Sequence, residues 1–234
     1  MKKYLLALAM FAVITAASAQ EENYKPEGSF GVEVAIMPLM GVVGFQQGLE
    51  YDNNSAGQLK VSYFLNDRMA VRLGLGFETA SAKTDNGESG AALRKTENSR
   101  KNFSILPAFI YSFEGTARLA PYVGVEFAFG NCSAESISEV GTASGVIKTT
   151  TTNSGNMFNT FGISALTGFN YFFAKNLYIG VEAGVGFDSQ KFKNEKVTRT
   201  GDPGWTAPAE SKSSRENSTF GFKVNPILRL GWSF

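Results

Sequence analysis

Apolar and polar residues alternate along the last stretch of the chain, residues 220–234. Every second residue is apolar, and the apolar set is Phe220, Phe222, Val224, Pro226, Leu228, Leu230, Trp232 and Phe234. Successive side chains of a β-strand point to opposite faces, so this stretch predicts a strand with one apolar face and one mostly polar face. The predicted strand is much longer than the ~5–6 residues that are commonest in soluble proteins.

The same alternation recurs along the rest of the chain and predicts an all-β fold. The predicted strands cover residues 29–37, 58–65, 68–79, 101–113, 120–130, 159–173, 177–188 and 219–234. These eight ranges are 8–16 residues long, and a tilted strand needs about 9–11 residues to cross a bilayer. Three connections are short turns and four are long and polar, and long structureless loops argue against a soluble sandwich.

Two features depart from this simple layout. Pro107 and Pro226 lie inside predicted strands, and proline offers no N–H to a ladder, so we expect a bulge or a local break at each. Residues 149–152 and 191–200 lie in the long connections but are rich in β-prone residues. We therefore expect the sheet to project beyond the membrane there as a rim.

Aromatic residues on the apolar face collect at the two ends of the predicted strands. At the short-turn end they are Phe30, Tyr63, Tyr111, Phe113, Tyr171, Phe173, Trp232 and Phe234, and at the long-loop end Phe77, Phe103, Phe129, Phe161, Phe187 and Phe220. A single aromatic residue in a strand is commonly ordinary packing. Two levels of aromatics in one phase instead predict the two interfacial girdles of a membrane barrel.

The charged residues of the predicted strands fall in the opposite phase. They are Glu33, Arg72, Glu78, Glu126, Glu182, Lys223 and Arg229. A charge on the lipid face costs about 2–4 kcal/mol at mid-membrane, so we expect this set inside the barrel. The interior of an eight-stranded barrel is just wide enough to be filled by side chains. We expect Glu33 and Arg229 to be close, because the first and last strands meet where the barrel shuts.

The N-terminus has the features of a cleaved signal peptide. Lys2 and Lys3 precede the apolar run 4–16, and Ala17-Ser18-Ala19 forms a small-residue cleavage site. We therefore expect residues 1–19 to be removed and residues 20–234 to form a single barrel domain. No later stretch has the ~20 continuous apolar residues of a transmembrane helix, and only helices and closed barrels satisfy their backbone in lipid.

Composition narrows the functions that the chain can carry. The 22 basic residues balance 21 acidic ones, which gives no case for nucleic acid. The chain has no His, which argues against Ser–His hydrolase chemistry and the common zinc sites. We predict no catalytic, cofactor or metal site. The one cysteine, Cys132, excludes an internal disulfide and leaves an incidental thiol or an intermolecular disulfide as alternatives.

The strand layout, the girdles and the terminal aromatic resemble the eight-stranded outer-membrane barrels of OmpA and OmpX type, the outer membrane protein beta-barrel domain group. The resemblance implies an antiparallel up-and-down transmembrane β-barrel in the outer membrane of a Gram-negative bacterium. It also implies that Trp232 and Phe234 form the C-terminal signal read by the outer-membrane assembly machinery. Two of the long loops are mildly basic, which is commonly no more than a solvated surface but also favours attraction to the anionic sugars of lipopolysaccharide. Outer-membrane lipids and lipopolysaccharide are therefore the expected partners.

Two functions remain open at this point. The first is a structural or surface-interaction barrel whose four long extracellular loops contact an unknown ligand, with a lumen filled by paired charges. The second is a small passive pore or transporter for small solutes. Conductance distinguishes the two, and an enzymatic role is disfavoured by the absence of His.

Overall fold

The computed structural model describes residues 30–38, 58–153, 157–202, 204–206, 215–223 and 227–234. The strands are β1 Phe30–Pro38, β2 Gln58–Phe64, β3 Met69–Asp85, β4 Arg94–Ser112, β5 Leu119–Thr142, β6 Gly145–Thr152, β7 Phe158–Ala174, β8 Leu177–Phe192, β9 Lys196–Thr200, β10 Glu216–Lys223 and β11 Ile227–Ser233. A short 3₁₀ helix, Gly90–Ala92, lies between β3 and β4. The predicted signal peptide, residues 1–19, lies outside the described residues.

The strands close into an antiparallel ring of eight, as predicted. Strands β1, β2, β3, β4, β5, β7 and β8 follow one another around the ring. The eighth position is shared by β10 and β11, which both pair with β8, and β11 also pairs with β1 to shut the barrel. A closed ring gives each strand a paired neighbour on both sides, which a barrel requires in lipid.

The three predicted short turns are present at one end of the barrel. The Asn66 side chain accepts hydrogen bonds from the backbone N–H groups of Arg68 and Met69, both at 2.9 Å, and so fixes the turn from β2 to β3. Asn176 has φ +64° in the turn from β7 to β8, a conformation that asparagine tolerates better than most residues. These local preferences of asparagine explain why the short turns at this end of the barrel could be predicted from the sequence.

The opposite end differs from the prediction, because much of the predicted loop structure is strand. The long connections predicted between residues 79 and 101 and between residues 130 and 159 are wrong for residues 80–85, 94–100 and 131–142, which extend β3, β4 and β5 as a regular ladder. The predicted rim is confirmed: β6 pairs with the outer part of β5, and β9 pairs with β6. We call residues 80–85, 94–100 and 133–142, with β6 and β9, the projecting sheet.

The two prolines behave differently. Pro107 lies opposite Leu73 in the unbroken ladder with β3, while the ladder between β4 and β5 lapses at residues 106–107 without a change of register. The result is the predicted local break and no bulge. Pro226 lies outside the described residues. Lys223 and Arg229, on either side of Pro226, are six residues apart, whereas their partners on β8, Gly184 and Gly180, are four apart. The register with β8 therefore shifts by two residues between β10 and β11.

Burial follows the alternation of the strands. Apolar side chains in the outward phase are exposed on the outside of the ring, including Val71, Leu73 and Phe109. The inward side chains are buried, and a cluster of apolar ones, Ala70, Ala108, Ile110, Tyr122 and Leu166, lies beside buried charges in the lumen. The ring therefore has its apolar surface outside and its charged side chains inside, the reverse of a soluble protein.

Candidate functional site in the barrel lumen

Six charged side chains meet in the lumen, and we call them the lumen cluster. They are Glu33 on β1, Lys60 on β2, Arg72 on β3, Glu126 on β5, Glu182 on β8 and Arg229 on β11. Alternation points each of them inward, and small neighbours such as Ala108, opposite both Arg72 and Glu126, leave them room. The cluster contains three acids and three bases, so its charge is balanced.

Arg229 connects the two strands at which the ring shuts. Its guanidinium is paired with Glu33 on β1 and hydrogen-bonds the Tyr122 hydroxyl. It also donates to Asn170 Oδ1 at 3.1 Å. Only 1% of Arg229 is exposed, so these partners replace the water that its charge has lost.

Glu182 on β8 is paired with two basic residues from the other side of the lumen, Lys60 on β2 and Arg72 on β3. Its carboxylate lies 3.0 Å from Lys60 Nζ and 2.7 Å from an Arg72 nitrogen. The Tyr122 hydroxyl donates to the same carboxylate at 2.7 Å. Because Tyr122 also contacts Arg229, one tyrosine joins the Glu182 and Glu33 halves of the cluster.

Glu126 and Tyr178 complete the arrangement. Glu126 Oε2 lies 3.8 Å from Lys60 Nζ and 3.6 Å from an Arg72 nitrogen, so it is held by charge at distances longer than ordinary hydrogen bonds. The Tyr178 hydroxyl donates to Glu33 Oε1 at 2.8 Å. Each acid of the cluster thus has at least one base within 4 Å.

Glycines face the largest lumen side chains and show how tightly the space is filled. A Cβ added at Gly231 would come closer than 3.0 Å to the Tyr178 ring, and one at Gly180 closer than 3.0 Å to Arg229. A Cβ at Gly168 would approach the Tyr122 hydroxyl in the same way. Separations this short essentially never occur for Cβ atoms, so the aromatic and guanidinium groups occupy space that only glycine leaves free.

The structure brings five of the seven predicted lumen charges together: Glu33, Arg72, Glu126, Glu182 and Arg229. Glu78 lies elsewhere, half-buried towards the long-loop end, where it accepts a hydrogen bond from Asn102 at 3.0 Å. Lys223 lies opposite Gly184, but its side chain is outside the described set. Sequence reasoning missed Lys60, although its position between the outward residues Leu59 and Val61 is the signal that would have found it.

The predicted girdle residues lie on the outside of the barrel. Those of the short-turn set lie at the ends of the strands, whereas Phe77, Phe103 and Phe129 lie within β3, β4 and β5, which continue beyond them. All of the girdle residues are exposed except Tyr111 and Tyr171, which are half-buried. At the seam, Phe30 and Phe234 exchange backbone hydrogen bonds of 3.1 and 2.9 Å, and their rings stack with centroids 6.3 Å apart. Trp232 packs on Phe234 at 5.2 Å. The terminal aromatics therefore belong to the closure between the first and last strands.

A second, smaller core lies at the rim, where β5 leaves β7 to join β6. It consists of Cys132, Met157, Phe158 and Phe192, with the Cys132 Sγ atom 3.2 Å from Met157 Sδ. Cys132 is buried, which counts against the use of its thiol in an intermolecular disulfide. Within the described ranges, no three carboxylate or thiol side chains are placed to hold a metal ion.

Comparison with known proteins decides the family. The model of the outer membrane protein beta-barrel domain matches residues 5–201. The chain belongs to this family. Outer membrane β-barrel proteins of this kind lie in the outer membrane of Gram-negative bacteria, and so does this protein.

The other comparisons add little. The crystal structure of Acinetobacter baumannii CarO aligns with 88% of this chain and 98% of its own, at 11% identity and a TM-score of 0.34, too low to establish a shared fold by itself. No curated protein matches the chain. Across the part of the chain that the structure describes, no helix is long and apolar enough to cross a membrane.

Proposed function

We propose that the protein is a closed, non-catalytic outer-membrane barrel that holds the projecting sheet outside the cell for contact with a partner. The lumen cluster is the observation that carries the proposal. Its ions come from six strands around the ring and meet in the middle, with Arg229 and Arg72 almost completely buried. Buried paired ions leave no continuous aqueous path where they meet.

The projecting sheet supports the second half of the proposal. Its outward face carries a row of alternating charges, Asp85, Lys95, Glu139 and Lys148, on directly opposed positions of four strands. The Lys95–Asp85 and Lys148–Glu139 pairs measure 3.0 and 3.4 Å. Recognition commonly sits on surface segments held by a rigid scaffold, and paired strands hold such a surface more firmly than loops do.

The absence of catalysis is part of the proposal. Barrels of this family are typically non-enzymatic. The side chains that a hydrolase would recruit in the lumen, Glu33, Glu182 and Tyr122, are each engaged with an arginine or lysine inside the barrel. A general base needs access to a substrate proton, which this packing does not offer.

Conductance tests the closed lumen. Purified protein is inserted into planar bilayers, and its insertion is verified by the slower mobility of the boiled sample and by protease protection in liposomes of the same lipid. We expect no steady current above that of the lipid alone. A uniform, steady conductance from the inserted protein would overturn the proposal and favour a passive pore for small solutes.

Thiol labelling tests the exposure of the projecting sheet. Ser144→Cys places a thiol in the exposed turn between β5 and β6, and Asp67→Cys places one in the exposed short turn between β2 and β3. Native Cys132 is buried and supplies the background. We expect a membrane-impermeant maleimide to label Ser144→Cys on intact cells and Asp67→Cys only after permeabilisation. The opposite pattern would place the sheet in the periplasm and refute the proposal.

A further inference from the structure

A row of polar residues lies immediately above the outward aromatic residues on β5, β7 and β8, on the side of the projecting sheet. Asn131 is directly opposite Asn159, and Asn159 is directly opposite Lys191. Side chains on directly opposed positions have Cβ atoms about 4.5–5.5 Å apart. The Asn131 amide donates to Asn159 Oδ1 at 3.0 Å, so the two amides form one platform.

A lysine stands at each end of this platform. Lys191 extends it on β8, and Lys193 reaches back over β7 to place its Nζ 3.0 Å from Asn131 Oδ1 and 3.2 Å from the Cys132 carbonyl. Both acceptors of Lys193 are neutral, so its positive charge is not cancelled. Lys191 forms no ion pair among the residues described, and its opposite neighbour Glu216 takes a hydrogen bond from Ser189 at 2.6 Å instead.

Two exposed rings lie directly below the platform. Phe129 and Phe161 precede and follow Asn131 and Asn159 by two residues on the same face, and their centroids are 5.5 Å apart. Both are outward-facing and more than two fifths exposed. The outward surface therefore changes from apolar rings to paired amides and two ammonium groups over two residues of each strand.

We propose that Lys191, Lys193, Asn131 and Asn159 bind a phosphate group of an outer-leaflet lipid whose acyl chains pack on Phe129 and Phe161. The location of the site, at the edge of the lipid-facing band of a membrane barrel, selects a lipid phosphate over a soluble anion. Lysine binds phosphate as a point charge, and the amides supply hydrogen-bond donors between the two charges. This proposal rests on the proposed extracellular placement of the projecting sheet, which the thiol labelling tests separately, and does not depend on whether the lumen is closed.

Native mass spectrometry of the detergent-solubilised barrel tests the site. The protein is titrated with diphosphoryl lipid A and with the fully dephosphorylated lipid. Each lysine near a membrane surface strengthens anionic lipid binding by about fivefold. We expect Lys191→Gln combined with Lys193→Gln to weaken binding of the diphosphoryl lipid by about 10–30-fold and to leave the dephosphorylated lipid unaffected.

The matched control is Lys83→Gln combined with Lys148→Gln. These lysines also face outward and change the net charge equally, but they lie farther out and are paired with Glu97 and Glu139. Lys191→Gln alone, which breaks no described side-chain contact, guards against damage to the rim and should cost about fivefold. Equal binding of the two lipids by the unaltered protein, or equal losses in the two double variants, would overturn the proposal.

Discussion

Two ion pairs of almost the same length lie in different surroundings in this molecule. Lys60 and Glu182 are 3.0 Å apart in the lumen with side chains 4% and 10% exposed, while Lys83 and Glu97 are 2.9 Å apart on the projecting sheet with side chains 69% and 41% exposed. The outer pair contributes little to the free energy of unfolding, because water solvates both exposed charges almost as well as they solvate each other. The inner pair has already lost its hydration and depends on its partner.

The difference teaches that distance alone does not tell what an ion pair contributes. In the lumen, removing one ion leaves the other buried and uncompensated, which is costly even where the intact pair adds little to stability. On the projecting sheet, water replaces any missing partner. The lumen cluster therefore makes the barrel intolerant of change inside, and the projecting sheet remains free to vary.

The largest predicted effect comes from removing Arg229. Arg229→Ser leaves Glu33 buried without its base, and we expect the free energy of unfolding to fall by about 3–5 kcal/mol, with small irregular conductances appearing in bilayers. Urea titration of the lipid-inserted barrel measures the first effect. Arg68→Ser is the control, because Arg68 is paired with Glu114 at the exposed short-turn end. Similar losses in the two variants would erase the contrast between the regions.

Filling the lumen further should have the next largest effect. Gly231→Ala drives a methyl group into the Tyr178 ring and disturbs its hydrogen bond to Glu33, at an expected cost of about 1–3 kcal/mol. Gly221→Ala on β10 is the control, because no atom lies within 4 Å of its added Cβ among the described residues. A lumen that accepts both changes equally in the same titration would not be close-packed.

A substitution in the outer pair should matter least for stability. Lys83→Gln removes the pair with Glu97, and we expect a loss of about 0.2–1 kcal/mol. The loss should shrink in high salt, because exposed charges are screened beyond the ~3 Å Debye length at 1 M. A loss of several kcal/mol that salt leaves unchanged would show that the projecting sheet is as tightly coupled as the lumen.

The smallest predicted effect concerns the pKa of Asp85 on the projecting sheet. Its pKa is held below the ordinary 3.8 first by the Gly87 N–H and then by Lys95. The stabilisation is therefore present above pH 3.8 and lost as the pH falls through the lower, folded value. In an NMR titration, Lys95→Gln should raise the pKa of Asp85 and leave part of the depression in place, because the Gly87 N–H still donates to the carboxylate. Full recovery would mean that Lys95, and not the backbone, governs the carboxylate.

The membrane-spanning half of the fold was predictable because lipid and lumen impose opposite chemistry on alternate residues. The stretch Leu59-Lys60-Val61 illustrates this: its apolar residues fixed the phase, and the same phase placed Lys60 inside although it was overlooked. Beyond the bilayer this signal disappears. Residues 80–85 and 94–100 have water on both faces, so polar residues serve either face and the strands do not stand out from loops.

The alternation along the strands predicted which charged residues face the lumen, but it did not predict which of them contact one another. By alternation alone, Glu78 and Glu126 should both face the lumen. Glu78, however, lies at a different level along the barrel axis and accepts a hydrogen bond from Asn102. Which levels meet depends on the register between strands. The roles of Tyr122 and Tyr178 depend on the same register, because each hydroxyl must reach a carboxylate two strands away around the ring.

A double-mutant cycle between Glu33 and Arg229, measured as unfolding free energy in lipid, tests the paired lumen most directly. Glu33→Gln and Arg229→Met each leave one buried ion behind, while the double variant leaves neither. We expect the double variant to be more stable than the sum of the single losses predicts, by about 1.5 kcal/mol or more. Losses that add within about 0.5 kcal/mol would show that the two residues do not act as a pair and would contradict the account.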